Sequence, residues 1–129
     1  MRTLLLLLLG CLLGLLAATA VMNALRIRHP LPPALMELMA FHKGRLDAQL
    51  RARRCPADDA MRDLRQLRVL ADDIGPVFAG ADPAFFHAAE ELTGAIDHAL
   101  QAPPTDCPTL QKTLRPVTQA CETCHRQFR

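Results

Sequence analysis

Residues 110–128 read LQKTLRPVTQACETCHRQF, with apolar or thiol side chains at intervals of four, three, four, three and four residues. The members of this stripe are Leu110, Leu114, Val117, Cys121, Cys124 and Phe128. This spacing keeps side chains on one face of an α-helix, so it predicts a helix that packs against a core. Pro116 lacks a backbone donor and clashes with the carbonyl of Lys112, so we expect a kink or a break before the last turns.

The end of this helix contains Cys121-Glu122-Thr123-Cys124-His125, a C-x-x-C-H pentapeptide that is the attachment signature of c-type haem. Cysteines three residues apart on a helix are neighbours, which lets both add to the vinyl groups of one porphyrin. Imidazole is a good ligand for haem iron. We therefore predict one covalent haem c, with Cys121 and Cys124 as its tethers and His125 as the proximal iron ligand.

Two other kinds of site use a C-x-x-C pair. A thioredoxin-like redox motif follows a β-strand, and the sequence contains no convincing alternating β pattern. A structural zinc site needs four ligands, and no second C-x-x-C or H-x-x-x-H accompanies this pair in the sequence. The pattern therefore favours haem attachment over both alternatives.

Two helices are predicted in the first half of the exported chain. The first follows the proline-rich residues 30–33 and carries apolar residues at helical spacing: Leu35, Leu38, Met39, Leu46 and Leu50. The second covers residues 57–74, where the pattern repeats at Met61, Leu64, Leu67, Ala71 and Ile74. Gly75-Pro76 is expected to end or kink this second helix.

A third helix is predicted to open with Asp82 as its N-cap and Pro83 at its first position. Its buried stripe is Phe85, Ala89, Leu92, Ile96 and Leu100, and Pro103-Pro104 closes it. Short loops between four helices favour antiparallel neighbours. The expected fold is an all-α, antiparallel, up-down-up-down four-helix bundle that buries a covalent haem.

The N-terminus has the features of an export signal. A six-leucine run begins at Leu4 behind Arg2, and the apolar stretch continues to Leu25. Ala18-Thr19-Ala20 is an A-x-A cleavage site, so residues 1–20 are predicted to be a signal peptide and residues 21–129 a single periplasmic domain. The alternative is an uncleaved anchor to about residue 25, which would hold the domain on the periplasmic face of the inner membrane.

Cysteines outside the pentapeptide give a further prediction. Cys55-Pro56 and Cys107-Pro108 each precede a predicted helix, and the second and fourth helices of such a bundle start at the same end. An oxidising compartment would let Cys55 and Cys107 pair. The alternative is two unpaired structural thiols, since spacing alone does not bring two Cα atoms within bonding range.

Composition limits the function classes. Fifteen basic residues against thirteen acidic ones give a formal net charge of +2, which does not indicate a nucleic-acid-binding protein. The chain has no Trp or Tyr and only five Phe, which is little aromatic material for a large core. A buried haem would supply the missing apolar bulk.

A secreted four-helix chain with C-x-x-C-H at its end resembles the cytochrome c-prime family, the class II c-type cytochromes. The resemblance covers essentially all of residues 21–129, and residues 39–45, MAFHKGR, are similar to the first helix of some members. The family commonly has a basic residue four after the haem histidine and an aromatic residue just before it. Arg129 and Phe128 match these positions, and the match implies that Arg129 steadies the proximal side or a haem propionate.

The resemblance also implies which residue faces the iron from the distal side. It is the residue three before Met39, namely Met36. A methionine there implies a six-coordinate, low-spin haem for electron transfer, whereas an apolar residue implies a five-coordinate iron that binds nitric oxide or carbon monoxide. Thioether ligation also raises the reduction potential. Met39, one helical turn away, is the second candidate ligand and His42 the third, and the alternative is that Met36 only fills the core.

One departure from the family lies in Pro32 and Pro33, which replace an Arg-Gln pair that often stands before the distal position. A polar haem contact is therefore missing, and we expect Arg26, Arg28 or Arg45 to replace it. The prolines are also expected to delay the first helix and leave Met36 in its first turn, where its iron bond would be weak.

The expected function is one-electron transfer by an exported mono-haem cytochrome that is not an enzyme. Its partners would be redox proteins, with membrane association through the N-terminus, no nucleic acid, and a homodimer of two bundles as a further expectation. The alternatives are a binder of nitric oxide or carbon monoxide and a haem-free disulfide or adhesion module. Three histidines are expected at the surface: His29, His87 and His98.

Overall fold

The computed structural model describes residues 2–28 and 30–128, with side chains placed over residues 6–24 and 30–128. All regular secondary structure in these ranges is helical, which confirms the all-α prediction. The helices are α1 (Arg2–Arg28), α2 (Leu31–Arg51), α3 (Ala57–Asp72), α4 (Ile74–Val77), α5 (Pro83–Gln101) and α6 (Cys107–Phe128).

The first compact unit of the chain ends at Leu31 and consists mainly of α1. Its segment Leu6–Ala24 is long and apolar enough to cross a membrane. The leucines of this segment are exposed within the structure. A signal sequence and a membrane anchor both have these properties, and either is compatible with export.

The second compact unit begins at Pro32 and contains the hydrophobic core. Helix α5 packs against both α3 and α6. Each of α2, α3, α5 and α6 contributes side chains that are buried in the same cluster, among them Leu46, Leu64, Ile96, Leu110 and Val117. Most members of the predicted apolar stripes belong to this core. Leu38, which was predicted to lie on the stripe of α2, is instead 50 % exposed and lies outside the core.

Helix α2 begins at Leu31, earlier than the prolines were expected to allow. Pro32 and Pro33 lie in its first turn, where a missing backbone donor costs no helical hydrogen bond. The prediction of a delayed helix was therefore wrong. Met36 lies beyond the first turn, in a part of the helix held by regular hydrogen bonds.

Helix α3 ends at Asp72, two residues before its predicted end. The ring of Pro76 offers no donor to the carbonyl of Asp72 and would clash with it in a continuous helix. The chain instead turns at Asp73 and forms the short helix α4, whose Ile74 is buried in the core. The interruption predicted near Gly75-Pro76 is confirmed.

The starts of α5 and α6 are both capped by aspartates. Asp82 accepts a hydrogen bond from the backbone N–H of Ala84 at 2.8 Å, which confirms it as the N-cap of α5. Asp106 accepts from the backbone N–H of Thr109 at 2.8 Å, and the Thr109 hydroxyl accepts from the Asp106 N–H at 3.0 Å. This reciprocal pair is a capping box in which threonine replaces the usual Glu or Gln.

Helix α6 runs without interruption through Pro116, so the predicted break is not present. Pro116 and Lys112 are both exposed. At an exposed position, water can take the place of the donor that proline lacks, so the helix can continue.

Two of the three cysteines outside the pentapeptide, Cys55 and Cys107, lie at disulfide distance. The Sγ atoms of Cys55 and Cys107 are 2.00 Å apart, and their Cα atoms are 5.2 Å apart, within the range of a disulfide. The predicted pairing is confirmed. The bond joins the residue before Pro56, where α3 is about to begin, to the first residue of α6.

Candidate functional site

A cavity of about 260 Å³ lies in the second compact unit and is lined by side chains of α2, α3, α4, α5 and α6. Most of its lining is apolar: Met36, Met39, Ala40, Leu67, Ile74, Phe85, Ala89, Leu92, Ile96 and Val117. The remaining lining side chains are Lys43, Thr118, Cys121, Glu122, Cys124 and His125. An apolar cavity with a few polar groups at one side is the usual form of a cofactor site.

The three functional side chains of the pentapeptide all line this cavity from α6. Cys121 and Cys124 are half-buried, one helical turn apart, and His125 is more exposed. They continue the stripe whose earlier members, Leu114 and Val117, are buried in the core. The local reason for this placement is the helical spacing of residues 110–128, which turns the motif toward the same side as the core residues.

Burial in the cavity changes the acidity of both thiols. Desolvation raises the pKa of Cys121, although the nearby positive charge of Lys43 partly opposes this effect. Desolvation also raises the pKa of Cys124. Redox-active C-x-x-C pairs have a lowered thiol pKa, so the environment of these cysteines argues against a thioredoxin-like function.

Two methionines of α2 line the same cavity as the pentapeptide. Met39 is 7 % exposed and belongs to the core cluster, whereas Met36 is half-buried and packs against that cluster. Both candidate thioether ligands therefore share a cavity with His125. The structure therefore brings the predicted proximal ligand and the first two candidate distal ligands to one cavity.

His42, the third candidate ligand, is not among the residues that line the cavity. Its Nδ1 atom lies 2.9 Å from Oδ1 of Asp63, on α3. Arg45 was a candidate replacement for the missing polar haem contact, but it donates from Nε to Oδ2 of Asp63 at 3.0 Å. Its guanidinium lies over the ring of Phe41, 5.9 Å from the centroid. Neither residue lines the cavity, because both side chains bind the carboxylate of Asp63.

Sequence reasoning missed Asp63, which is 1 % exposed. A signal for it was present, since Asp63 shares the apolar stripe of α3 with Ala60 and Leu67 at helical spacing. A carboxylate at a core position requires a buried partner. The partners lie on another helix, however, and the stripe alone does not identify them.

Lys43 is the fixed positive charge among the cavity-lining side chains. Its Nζ atom lies 2.7 Å from Oδ2 of Asp47, one turn along α2. Both side chains are partly exposed, so this ion pair is weak and exchangeable. Lys43 can therefore turn toward a negatively charged group at the mouth of the cavity.

Comparison of the chain with protein-family models, curated proteins and solved structures finds no match. The C-x-x-C-H motif and the cavity are therefore the features of this chain that indicate a function. Among the described residues, no group of three or more His, Cys, Asp or Glu side chains is arranged to hold a metal ion. A haem iron needs fewer protein ligands than a structural zinc ion does, and the residues around the cavity provide an imidazole and thioethers.

The remaining predicted residues lie away from the cavity or outside the description. His87 and His98 are exposed, as predicted. Arg129 and His29 lie outside the described residues, as do the side chains of Arg26 and Arg28. Phe128, which precedes Arg129, packs its ring against Phe85, with the centroids 5.5 Å apart.

Proposed function

We propose that this protein is an exported mono-haem c-type cytochrome that carries one electron at a time between redox partner proteins. The observation that carries the proposal is the shared cavity, which is lined by both cysteines and the histidine of the C-x-x-C-H pentapeptide of α6 and by two methionines of α2. Covalent tethers, a proximal imidazole and a distal thioether are the protein groups that a low-spin c-type haem requires.

The residues around the cavity fit such a group. Cys121 and Cys124 would hold it by thioether bonds, His125 would be its proximal ligand, and Met36 its distal ligand. The haem would supply a one-electron iron couple whose potential is raised by histidine–methionine ligation. Buried side chains such as Phe85 and Ile96 exclude water from the cavity, which also favours the less charged, reduced state.

We also propose that α2, α3, α5 and α6 form the antiparallel four-helix bundle expected of a class II c-type cytochrome. Two observations support this topology. Helix α5 packs against both α3 and α6, and the disulfide joins the residue before Pro56 to the start of α6. Short connections between the helices favour antiparallel neighbours.

Lys43 has a role in the same proposal. A porphyrin carries two propionate groups, and a carboxylate near the cavity mouth gains from a cationic partner. Lys43 lines that cavity and is held only by the partly exposed Asp47. It would neutralise a propionate in place of the polar pair that Pro32 and Pro33 replace.

The N-terminus and the surface complete the proposal. Helix α1 directs the chain to the periplasm, with cleavage after Ala20 or retention as an inner-membrane anchor. Leu38 and Phe41 are 50 % and 56 % exposed on α2, beside the cavity-lining Ala40. An exposed apolar surface beside the cofactor is suited to brief contact with a redox partner.

Absorption spectroscopy of the purified protein in both oxidation states tests the function. Methionine ligation gives ferric haem a weak far-red band, and we expect it in the wild type. Met36→Ala should abolish the band and open the iron to carbon monoxide. Met61→Ala is the matched control, because Met61 is a half-buried methionine of α3 that does not line the cavity.

Other results would lead to different conclusions. Loss of the band in Met39→Ala but not in Met36→Ala would make Met39 the ligand. A wild type that has no far-red band and binds carbon monoxide or nitric oxide would contradict electron transfer in favour of gas binding. A protein without any haem absorption after expression with haem-attachment machinery would contradict the cytochrome proposal itself.

A further inference from the structure

Asp63 is a charged side chain that the proposed electron transfer does not use, although it is almost fully buried. Both of its carboxylate oxygens are engaged. Oδ1 lies 2.9 Å from Nδ1 of His42, and Oδ2 accepts from Nε of Arg45 at 3.0 Å. Both partners lie on α2, whereas Asp63 lies on α3. The cluster therefore joins these two helices at one point along their length.

Because Asp63 is buried, its contacts with His42 and Arg45 favour one position of α2 relative to α3. A carboxylate that is removed from water without partners is strongly destabilised, so positions of α2 that separate it from His42 and Arg45 are disfavoured. Hydrogen bonds of this kind are lost beyond about 3.5 Å. A slip of α2 by one helical turn, about 5.4 Å, would break both of them.

The apolar face of α2 is less specific. Its buried residues are Leu35, Met39 and Leu46, and the unbranched methionine side chain adapts to cavities of different shape. Met36 and Met39 are three residues apart, which corresponds to about 4.5 Å along the helix axis. A movement of this size would bring Met39 to the position of Met36 and Leu38 to that of Leu35, although it would also bring Gln49 to the position of the fully buried Leu46. The apolar face of α2 is therefore less specific near the cavity than at Leu46.

We propose that Asp63 is a positioning residue that, through His42 and Arg45, fixes α2 so that Met36 and not Met39 reaches the haem iron. The proposal rests on the proposed cytochrome function and explains how this chain chooses between two candidate ligands. Asp63 does not line the cavity, so it would act only through α2. The polar cluster sets the position of the helix, and the apolar core supplies most of the stability.

Asp63→Asn tests the proposal, because it keeps the shape of the side chain and removes its charge. We expect a roughly twofold or greater loss of the far-red band per haem, with the covalent haem content unchanged. Asp97→Asn is the matched control. It removes a carboxylate that accepts from Nε of Arg68 at 2.6 Å and joins α3 to α5 instead of α2. The control should keep the full band.

A second variant separates positioning from folding. Replacing the whole cluster by Asp63→Leu, His42→Leu and Arg45→Met removes the buried charge together with its partners, a change that often preserves or increases stability. We expect this variant to fold and to keep a reduced band. In this background, Met36→Ala should leave a residual band from Met39, and Met36→Ala in the wild type should leave none.

Three results would overturn the inference. One is a full band in the cluster replacement, and another is an equal loss in Asp97→Asn. The third is a wild type with covalent haem but without the band, since no methionine would then be positioned. If the wild type carries no haem at all, the proposed function fails first and this inference fails with it. The haem content and the band therefore distinguish the two failures.

Discussion

The two ends of helix α6 differ in the contacts that their cysteines make. At its start, Cys107 is bonded to Cys55, and Asp106 and Thr109 satisfy each other's backbone donors. At its other end, Cys121, Cys124 and His125 line an apolar cavity. Both ends contain cysteines within one helix of 22 residues, but only the first pairs its cysteine with another part of the chain.

This difference shows that similar residues acquire different chemistry from their neighbours. Cys107 meets another cysteine at bonding distance and becomes a structural link. Cys121 and Cys124 lie on one helix, one turn apart, beside a histidine and in an apolar environment that raises the pKa of both thiols. The first end of α6 stabilises the fold, and we propose that the second binds a cofactor.

The largest expected effect is the loss of the cofactor. Replacement of both cavity cysteines, Cys121→Ala with Cys124→Ala, should abolish covalent haem completely, because no other described thiol lines the cavity. The disulfide at the start of α6 should remain. Intact-mass analysis under denaturing conditions measures the haem, and thiol labelling measures the disulfide. Covalent haem in this variant would contradict the assignment of the tethers.

Removal of the disulfide tests the start of α6 in the same way. Removal of the disulfide by Cys55→Ala with Cys107→Ala opens a link between residues 52 apart. The free energy of unfolding should fall by about 4 kcal/mol, because the unfolded chain regains loop entropy, and the haem should stay attached. Chemical denaturation measures the change. Cys11→Ala, which removes a free and exposed thiol, should have no effect on this domain.

Pro116 lies between the two ends of α6, where it removes a backbone hydrogen bond from the helix. Pro116→Ala restores a donor for the Lys112 carbonyl and relieves a clash, so it should stabilise the protein by about 2 kcal/mol. Pro108→Ala is the control, since Pro108 occupies the first turn, where proline is tolerated. Denaturant midpoints compare the two variants. A gain in Pro108→Ala equal to that in Pro116→Ala would contradict this explanation.

The smallest effect is expected at the cap of α6. Hydrogen bonds from the side chain and backbone of Thr109 hold the pKa of Asp106 below its usual value. Its stabilisation is therefore present above the pKa of the unfolded chain and is lost as the pH falls through the lower pKa of the folded chain. Asp106→Ala should lower the thermal midpoint slightly at neutral pH.

Asp106→Asn provides the control for this cap, because asparagine caps a helix well without a charge. It should keep the neutral-pH midpoint and lose the acid dependence that Asp106 contributes. Thermal unfolding across the acidic range measures both variants. An unchanged acid dependence in Asp106→Asn would show that other carboxylates cause it.

Local sequence signals predicted a helix start or a buried helix face well where a cap or a regular spacing determines it. Asp82-Pro83 predicted the start of α5, and the spacing of residues 110–128 predicted the face of α6 that is buried. The prediction for α2 was wrong because Pro32 was treated as a helix breaker, although a proline in a first turn removes no hydrogen bond. Of the kink or break predicted at Pro116, the break is not present, because an exposed carbonyl that loses its helical donor can bond to water instead.

Long-range pairing was harder to predict. The Cys55–Cys107 pair could be inferred only because a bundle topology brings helix starts together. The buried contacts of Asp63 with His42 and Arg45 depend on the relative position of α2 and α3, which no local pattern specifies. The cavity itself depends on side chains from five helices, so the motif predicted the tethers but not the environment around them.

The central claim is that the C-x-x-C-H end of α6 binds one covalent haem. The most direct measurement is the intact mass of the exported wild-type protein under denaturing conditions, together with its pyridine haemochrome spectrum. We predict a mass equal to that of the chain cleaved after Ala20 plus one haem, or of the uncleaved chain plus one haem if α1 is retained. An unmodified polypeptide mass with no haemochrome would contradict the account.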